Sequence, residues 1–172
     1  MYQPMLFLHW KQIKVALIPL VLAAFALPLL SVQGLGGLAD FPEDVIGAYQ
    51  FMMNAGFWAP VFPMLAGVTG ITLALSAWNW DHQLNHVYAL SLPIPRWRYA
   101  TLKMGAGVTL AMLPGLAFWA GALVASASVT LPAGLHAYPT ALALRFFLSV
   151  LVSYAVLFAM AAGTVRTTLV IV

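Results

Sequence analysis

The chain has 172 residues, of which 63% are hydrophobic and 6% charged, with a mean hydropathy of +0.96. Soluble domains carry roughly a quarter charged residues, so a soluble fold is excluded. The net charge is only +3, with Lys and Arg confined to the ends of apolar runs, which is the pattern of membrane topology rather than of nucleic-acid binding. The absence of cysteine removes disulfides, thiolate metal sites, iron–sulfur clusters and covalent haem attachment together.

The chain opens MYQPMLFLHWKQIK. Pro4 lets a helix begin near Met5, and Trp10, Lys11 and Lys14 make an aromatic and basic approach to a bilayer. The apolar run 15–32 is about 18 residues long, longer than a signal-peptide core, and no small-x-small cleavage site follows at once. It reads as a retained first span. QGLGGLADFPEDVIGA is then a loop holding Asp40, Glu43 and Asp44, three of the four acids in the protein. FPEDVIGAY within it can start a short interfacial helix, with Pro42 in the first turn.

The second span covers about 49–77. Some 29 residues at 1.5 Å each overshoot a ~30 Å hydrocarbon core, so it must tilt, start in the interface or kink, and Pro60 and Pro63 supply a kink. Gly67 and Gly70 leave little bulk and allow a close helix approach.

The segment 78–99 is the longest departure from the apolar pattern and the expected cytoplasmic interfacial element. Between Asp81 and Ser91 it reads as a short amphipathic helix. Leu84, Val87, Tyr88 and Ser91 fall at i, i+3, i+4 and i+7, with His82, Gln83 and His86 off that stripe. Asn79 or Asp81 would cap it. Pro93 and Pro95 would stop it, and Arg96, Arg98 and Lys103 would form a basic collar before the next span.

The third span covers about 100–129, with Pro114 in its middle. Gly121, Ala122, Ala125 and Ser126 crowd its later half and mark a packed face. TLPAGLHAYP is a turn bearing His136. The fourth span covers about 140–165, with Arg145 near its start and Arg166 at its end. The closing residues TTLVIV resemble the start of a further span. The fold expected is an all-α, polytopic membrane bundle of about four transmembrane helices in one transmembrane domain, 1–172.

If the spans alternate, six of the seven basic residues lie on one side, and the opposite loops hold three acids and His136. The positive-inside rule makes the basic side cytoplasmic. Both termini and the 78–99 segment are therefore expected inside, in an inner (plasma) membrane.

The residues offer little chemistry. His82 and His86 share a helix face at i, i+4, but no third ligand at useful spacing accompanies them. A wet face at the headgroups, or a partner contact, is the preferred reading, and no metal or cofactor is expected. The histidines all fall at span ends or in loops, against a b-type cytochrome. The span interiors hold no Asp, Glu or Lys for an ion relay. Arg145 lies about one and a half turns inside its span. It reads as snorkelling to lipid headgroups or pairing with Asp40, Glu43 or Asp44, with an anionic substrate contact as the other possibility. Trp10, Trp78, Trp80, Trp97 and Tyr99 read as an aromatic belt at the bilayer surface. There is no G-x-x-x-x-G-K-[ST] and no hydrolase arrangement, so the chain is not expected to be an enzyme.

The run NHVYALSLPIPRWRYATLKM, between the second and third spans, resembles the cytoplasmic loop of ABC-2-type transporter permeases, as does the amphipathic entry FLHWKQIK. The family tends to have an acid, a short helix ending in Leu-x-x-Leu-Pro-(small or aliphatic)-x-Arg, then a lysine opening the next span. Asp81 stands for the acid, Leu92-Pro93-Ile94-Pro95-Arg96 for the core, and Lys103 for the lysine. Pro95 departs from the small polar residue more usual there. The resemblance extends over roughly 1–166, and four spans fit where the family has about six. It implies that 78–96 is a coupling helix seated in a separate ATP-binding cassette subunit, with Asp81, Leu84, Tyr88, Leu92, Pro93, Arg96 and Lys103 as coupling residues. It also implies a homo- or heterodimer with another permease subunit around a substrate path. The other reading is a non-catalytic accessory subunit packed against a larger respiratory, photosynthetic or secretory membrane complex through its small-residue faces.

Overall fold

The computed structural model describes residues 2–33, 49, 52–53, 56–83, 95–129 and 136–162. Among these the secondary structure is α-helical with no strand, and four helices are long and apolar enough to cross a membrane. They are α1 (Tyr2–Gln33), α2 (Val61–Gln83), α3 (Arg96–Ala127) and α4 (Pro139–Ala161). The protein is an all-α membrane bundle of four spanning helices.

The helix bounds differ from the apolar runs where polar residues continue a helix that hydropathy alone would end. The amphipathic opening and the first span are one uninterrupted α1 of 32 residues. At 1.5 Å per residue it is ~48 Å long, about 18 Å more than a hydrocarbon core. Pro19 and Pro28 are both carried inside it. The second span is interrupted by a turn at Ala59 and Pro60. The Ala59 N–H donates to the Gly56 carbonyl at 3.3 Å across a turn at 59–60, and α2 starts at Val61, which puts Pro63 in its first turn, where a missing N–H is harmless.

At its other end α2 runs on to Gln83, which corrects the expected start of the surface helix. Residues 78–83 are the last turns of the span helix, so Asn79 and Asp81 lie inside a helix and cap nothing. The rest of that expected amphipathic helix, and Pro93, lie outside the described residues. Pro95 is the N-cap of α3, at φ −64° and ψ 140°. Its ring holds the extended geometry that a cap position takes. Arg98 and Lys103 consequently belong to the first turns of α3 instead of a collar ahead of it. Several Ser and Thr hydroxyls within the spans are satisfied by their own helices, as for Thr69 on the Leu65 carbonyl and Thr72 on that of Val68, both at 2.8 Å; a bilayer offers them no other acceptor.

α3 sits between α1 and α4, while α2 packs mainly on α4 and more lightly on α1 and α3. The two most extensive interfaces, α1–α3 and α2–α4, join parallel helices that are not consecutive in the chain. Glycine brings each pair to backbone contact. A Cβ on Gly121 of α3 would meet the Phe25 carbonyl of α1, and one on Gly70 of α2 would lie 2.7 Å from the Val150 carbonyl of α4. Ala122 and Ala125 are buried on the same α3 face, as their small size suggests. Gly67 does not share this role, since a Cβ there meets nothing within 4 Å.

Between the two pairs the packing is aromatic. Phe118 of α3 stacks on Phe146 of α4 at 4.2 Å between ring centroids and meets Phe62 of α2 edge-on at 5.4 Å. Tyr154 of α4 is fully buried over Gly107 and donates to the Met104 carbonyl at 3.3 Å. Large apolar side chains such as Val15, Leu22, Met64 and Val152 point outward, where acyl chains and not water meet them.

Candidate functional site at the basic end of the bundle

The N-termini of α1 and α3 and the C-termini of α2 and α4 share one end of the bundle, which carries the exposed Lys11, Lys14 and Arg98. Just inside it lies a compact polar node. Asp81 is 2% exposed, on the last turns of α2. Lys103, two turns into α3, donates to its Oδ2 at 2.6 Å, and the Tyr99 hydroxyl donates to both carboxylate oxygens at 3.2 Å.

Lys103 is held from three directions. Besides Asp81, its ammonium donates to the Tyr99 oxygen at 3.3 Å and lies 4.5 Å from the centre of the Trp78 ring. An ammonium has three protons in a tripod, and the carboxylate, the hydroxyl and the ring face offer a partner to each. The i, i+4 spacing puts Tyr99 and Lys103 on one face of α3. Asp81 lies three residues after Trp78, on one face of α2, and Trp78 is braced in turn by the Phe158 ring of α4 at 5.1 Å. Neutralisation by Lys103 and two further hydrogen bonds make a buried carboxylate tolerable here.

One turn deeper, α1 joins the node. His9 is 5% exposed, and its Nε2 lies 3.0 Å from the Ser76 hydroxyl of α2. The same hydroxyl lies 2.9 Å from the Leu73 carbonyl of its own helix, and which of His9 and Ser76 donates to the other is set by the imidazole tautomer.

The coupling residues expected from the sequence divide three ways. The structure brings Asp81 and Lys103 together, 22 positions apart in the chain. Leu84, Tyr88, Leu92 and Pro93 lie outside the described residues, as does His86. Arg96 is the first residue of α3. Arg145 is exposed in the second turn of α4, and its expected acidic partners Asp40, Glu43 and Asp44 lie outside the described residues. Among the described residues no cluster of three metal-ligating side chains forms.

Two expectations are corrected at this end. Trp78 and Tyr99 are 5% and 7% exposed, so they are core residues and not an aromatic belt; Trp97 and Trp10 remain exposed. A lysine does lie within a span, because α3 carries Lys103 into the stretch Trp97–Ala127. The residues missed altogether are His9 and Ser76. A signal was present for His9, since Ile13 and Leu17 follow it at i+4 and i+8 and all three are buried on one stripe of α1. At the opposite end a largely apolar cavity of about 240 Å³ lies among Pro28, Ser31, Ala122, Ser126, Tyr138 and Leu142, with no charged side chain in its described lining.

The chain matches no protein-family model, no curated protein and no solved structure.

Proposed function

We propose that this chain is the membrane permease subunit of an ABC-2-type exporter, driven by a separate ATP-binding cassette subunit that docks on the connection between α2 and α3. One observation carries the reading. Asp81 and Lys103, the acid and the lysine of the resemblance, are joined in an ion pair that ties the last turns of α2 to the first turns of α3, the helices on either side of the 84–95 connection. A docking segment transmits displacement only if its ends are tied to the elements that must move. With loose ends, the push of a partner would be spent in the connection itself. The chain's part is then mechanical, with hydrolysis on the partner, and the connection and both termini face the cytoplasm of a plasma membrane. A second permease subunit, identical or related, completes the substrate path.

A second reading is favoured by α1, the least covered of the four helices. Its outward face, with Phe7, Val15, Ile18 and Leu22 exposed, suits an accessory subunit packed against a larger membrane complex. A pull-down of the tagged protein in mild detergent, with mass spectrometry, separates the two. The permease reading expects an ATP-binding cassette protein, lost when Leu84→Glu and Tyr88→Glu are introduced while the chain still inserts. Recovery of a large membrane complex without such a protein would leave the accessory reading in its place.

A further inference from the structure

We infer that His9 is a positioning residue, which holds the N-terminal half-turns of α1 on α2 so that displacement at the 84–95 connection reaches α1. The inference rests on the docking reading just given and extends it to a third helix. α1 and α2 pack lightly compared with α1 and α3, so few contacts fix their relation. His9 supplies a directional one. It is the polar residue on the buried stripe formed with Ile13 and Leu17, and a polar group buried there is tolerable only with a hydrogen bond.

Its bond is made at one ring nitrogen, since Nε2 reaches the Ser76 hydroxyl at 3.0 Å while Nδ1 has no hydrogen-bond partner among the described residues. Ser76 lies five residues before Asp81, ~7.5 Å along the same helix. A shift of the Asp81–Lys103 closure therefore moves Ser76 as one body with it, and the imidazole carries the shift to α1. Packing alone would let the helices slide, whereas a bond of fixed direction resists sliding.

That geometry yields a test with a built-in control. Glutamine can place a donating or accepting amide where Nε2 stands, asparagine only where Nδ1 stands, and leucine neither. Because the chain has no cysteine, spin labels can be placed by Phe7→Cys and Leu75→Cys, both exposed on the helices concerned. Their separation is then read in lipid nanodiscs by pulsed electron paramagnetic resonance. His9→Gln should keep the wild-type distance distribution. His9→Leu and His9→Asn should broaden it or move its mean by about 2 Å, the scale of helix shifts in coupled proteins. A wild-type distribution in His9→Leu would overturn the inference, as would equal disturbance by glutamine and leucine.

Adding the captured cassette subunit tests transmission. Wild type and His9→Gln should show a changed distance, and His9→Leu none. If the subunit binds and the wild-type distance stays fixed, transmission is overturned and the permease reading stands. The distance comparison without the subunit needs no partner, so failure to find one sinks the permease reading without touching that result.

Discussion

Asp81 is held by Lys103 and Tyr99, and its energetics are asymmetric. Removing one member of a buried ion pair leaves the other charge stranded, which typically costs about 3–5 kcal/mol. Asp81→Ala and Lys103→Met should therefore each lower the midpoint of thermal unfolding in detergent by several degrees. The double variant Asp81→Leu/Lys103→Met removes both charges at once and should recover most of that loss. If the three variants were equally destabilised, the pair would not act as a unit. Function should separate from stability in the double variant. It would fold and insert, yet lose the tie between α2 and α3, so on the permease reading capture of a cassette subunit should weaken although Leu84, Tyr88 and Arg96 are intact.

His9 and Tyr99 show why this node was only half visible beforehand. A sequence reports that an acid and a lysine lie near span ends, but not that the two meet. It reports even less that a histidine 67 positions before Ser76 completes the set. Both aromatic residues of the node were read as surface anchors because Trp and Tyr near a span end usually are. Here both rings instead flank the Lys103 ammonium, at 4.5 and 5.1 Å from the ring centres, and pack into the core.

At the scale of helices, the glycines divide into those under a neighbour and those under lipid. Gly121→Leu would drive a side chain into the α1 backbone at Phe25, and a backbone carbonyl cannot yield as a flexible side chain can. Gly70→Leu would do the same to α4 at Val150. Each should destabilise by about 1–3 kcal/mol or more, the usual range for overpacking. Gly67→Ala should be tolerated or slightly stabilising through helix propensity. Comparing the three by thermal unfolding tests the parallel pairing directly; equal effects at Gly67 and Gly70 would contradict it. Phe118→Ala, which removes the ring between Phe62 and Phe146, should cost about 3–5 kcal/mol.

The ends of the elements were less legible than their middles. Hydropathy marks where a chain suits lipid, and backbone hydrogen bonding marks where it stays helical. The two part company wherever polar residues continue a helix into the headgroup region. That is why α1 begins well before Val15, and why α2 carries Asn79 and Asp81 within its last turns instead of handing over to a second helix there. Pro60 and Pro95 were the dependable punctuation, because a missing N–H and a fixed φ act locally whatever the surroundings.

For the whole molecule the open quantity is orientation, and the cysteine-free chain makes it measurable. An impermeant maleimide should label Glu43→Cys from outside the cell and Ser91→Cys only after the membrane is opened. The reverse pattern would invert the bundle and remove any cytoplasmic partner from the 84–95 connection.

Composition and the spacing of apolar runs were enough to determine an all-α bundle of four spanning helices, with five of the seven basic residues at one end. Those properties depend on position along a single axis, the membrane normal, and a hydropathy profile is a reading along that axis. Lateral order is a different kind of information. That α1 lies against α3 and α2 against α4, that Gly121 and Gly70 are the points of approach while Gly67 is not, and that Lys103 reaches Asp81 with His9 close by, all depend on which helix faces fit together. Inward and outward faces of these spans are alike mostly apolar, so pattern alone does not tell lipid from neighbour, and packing decides.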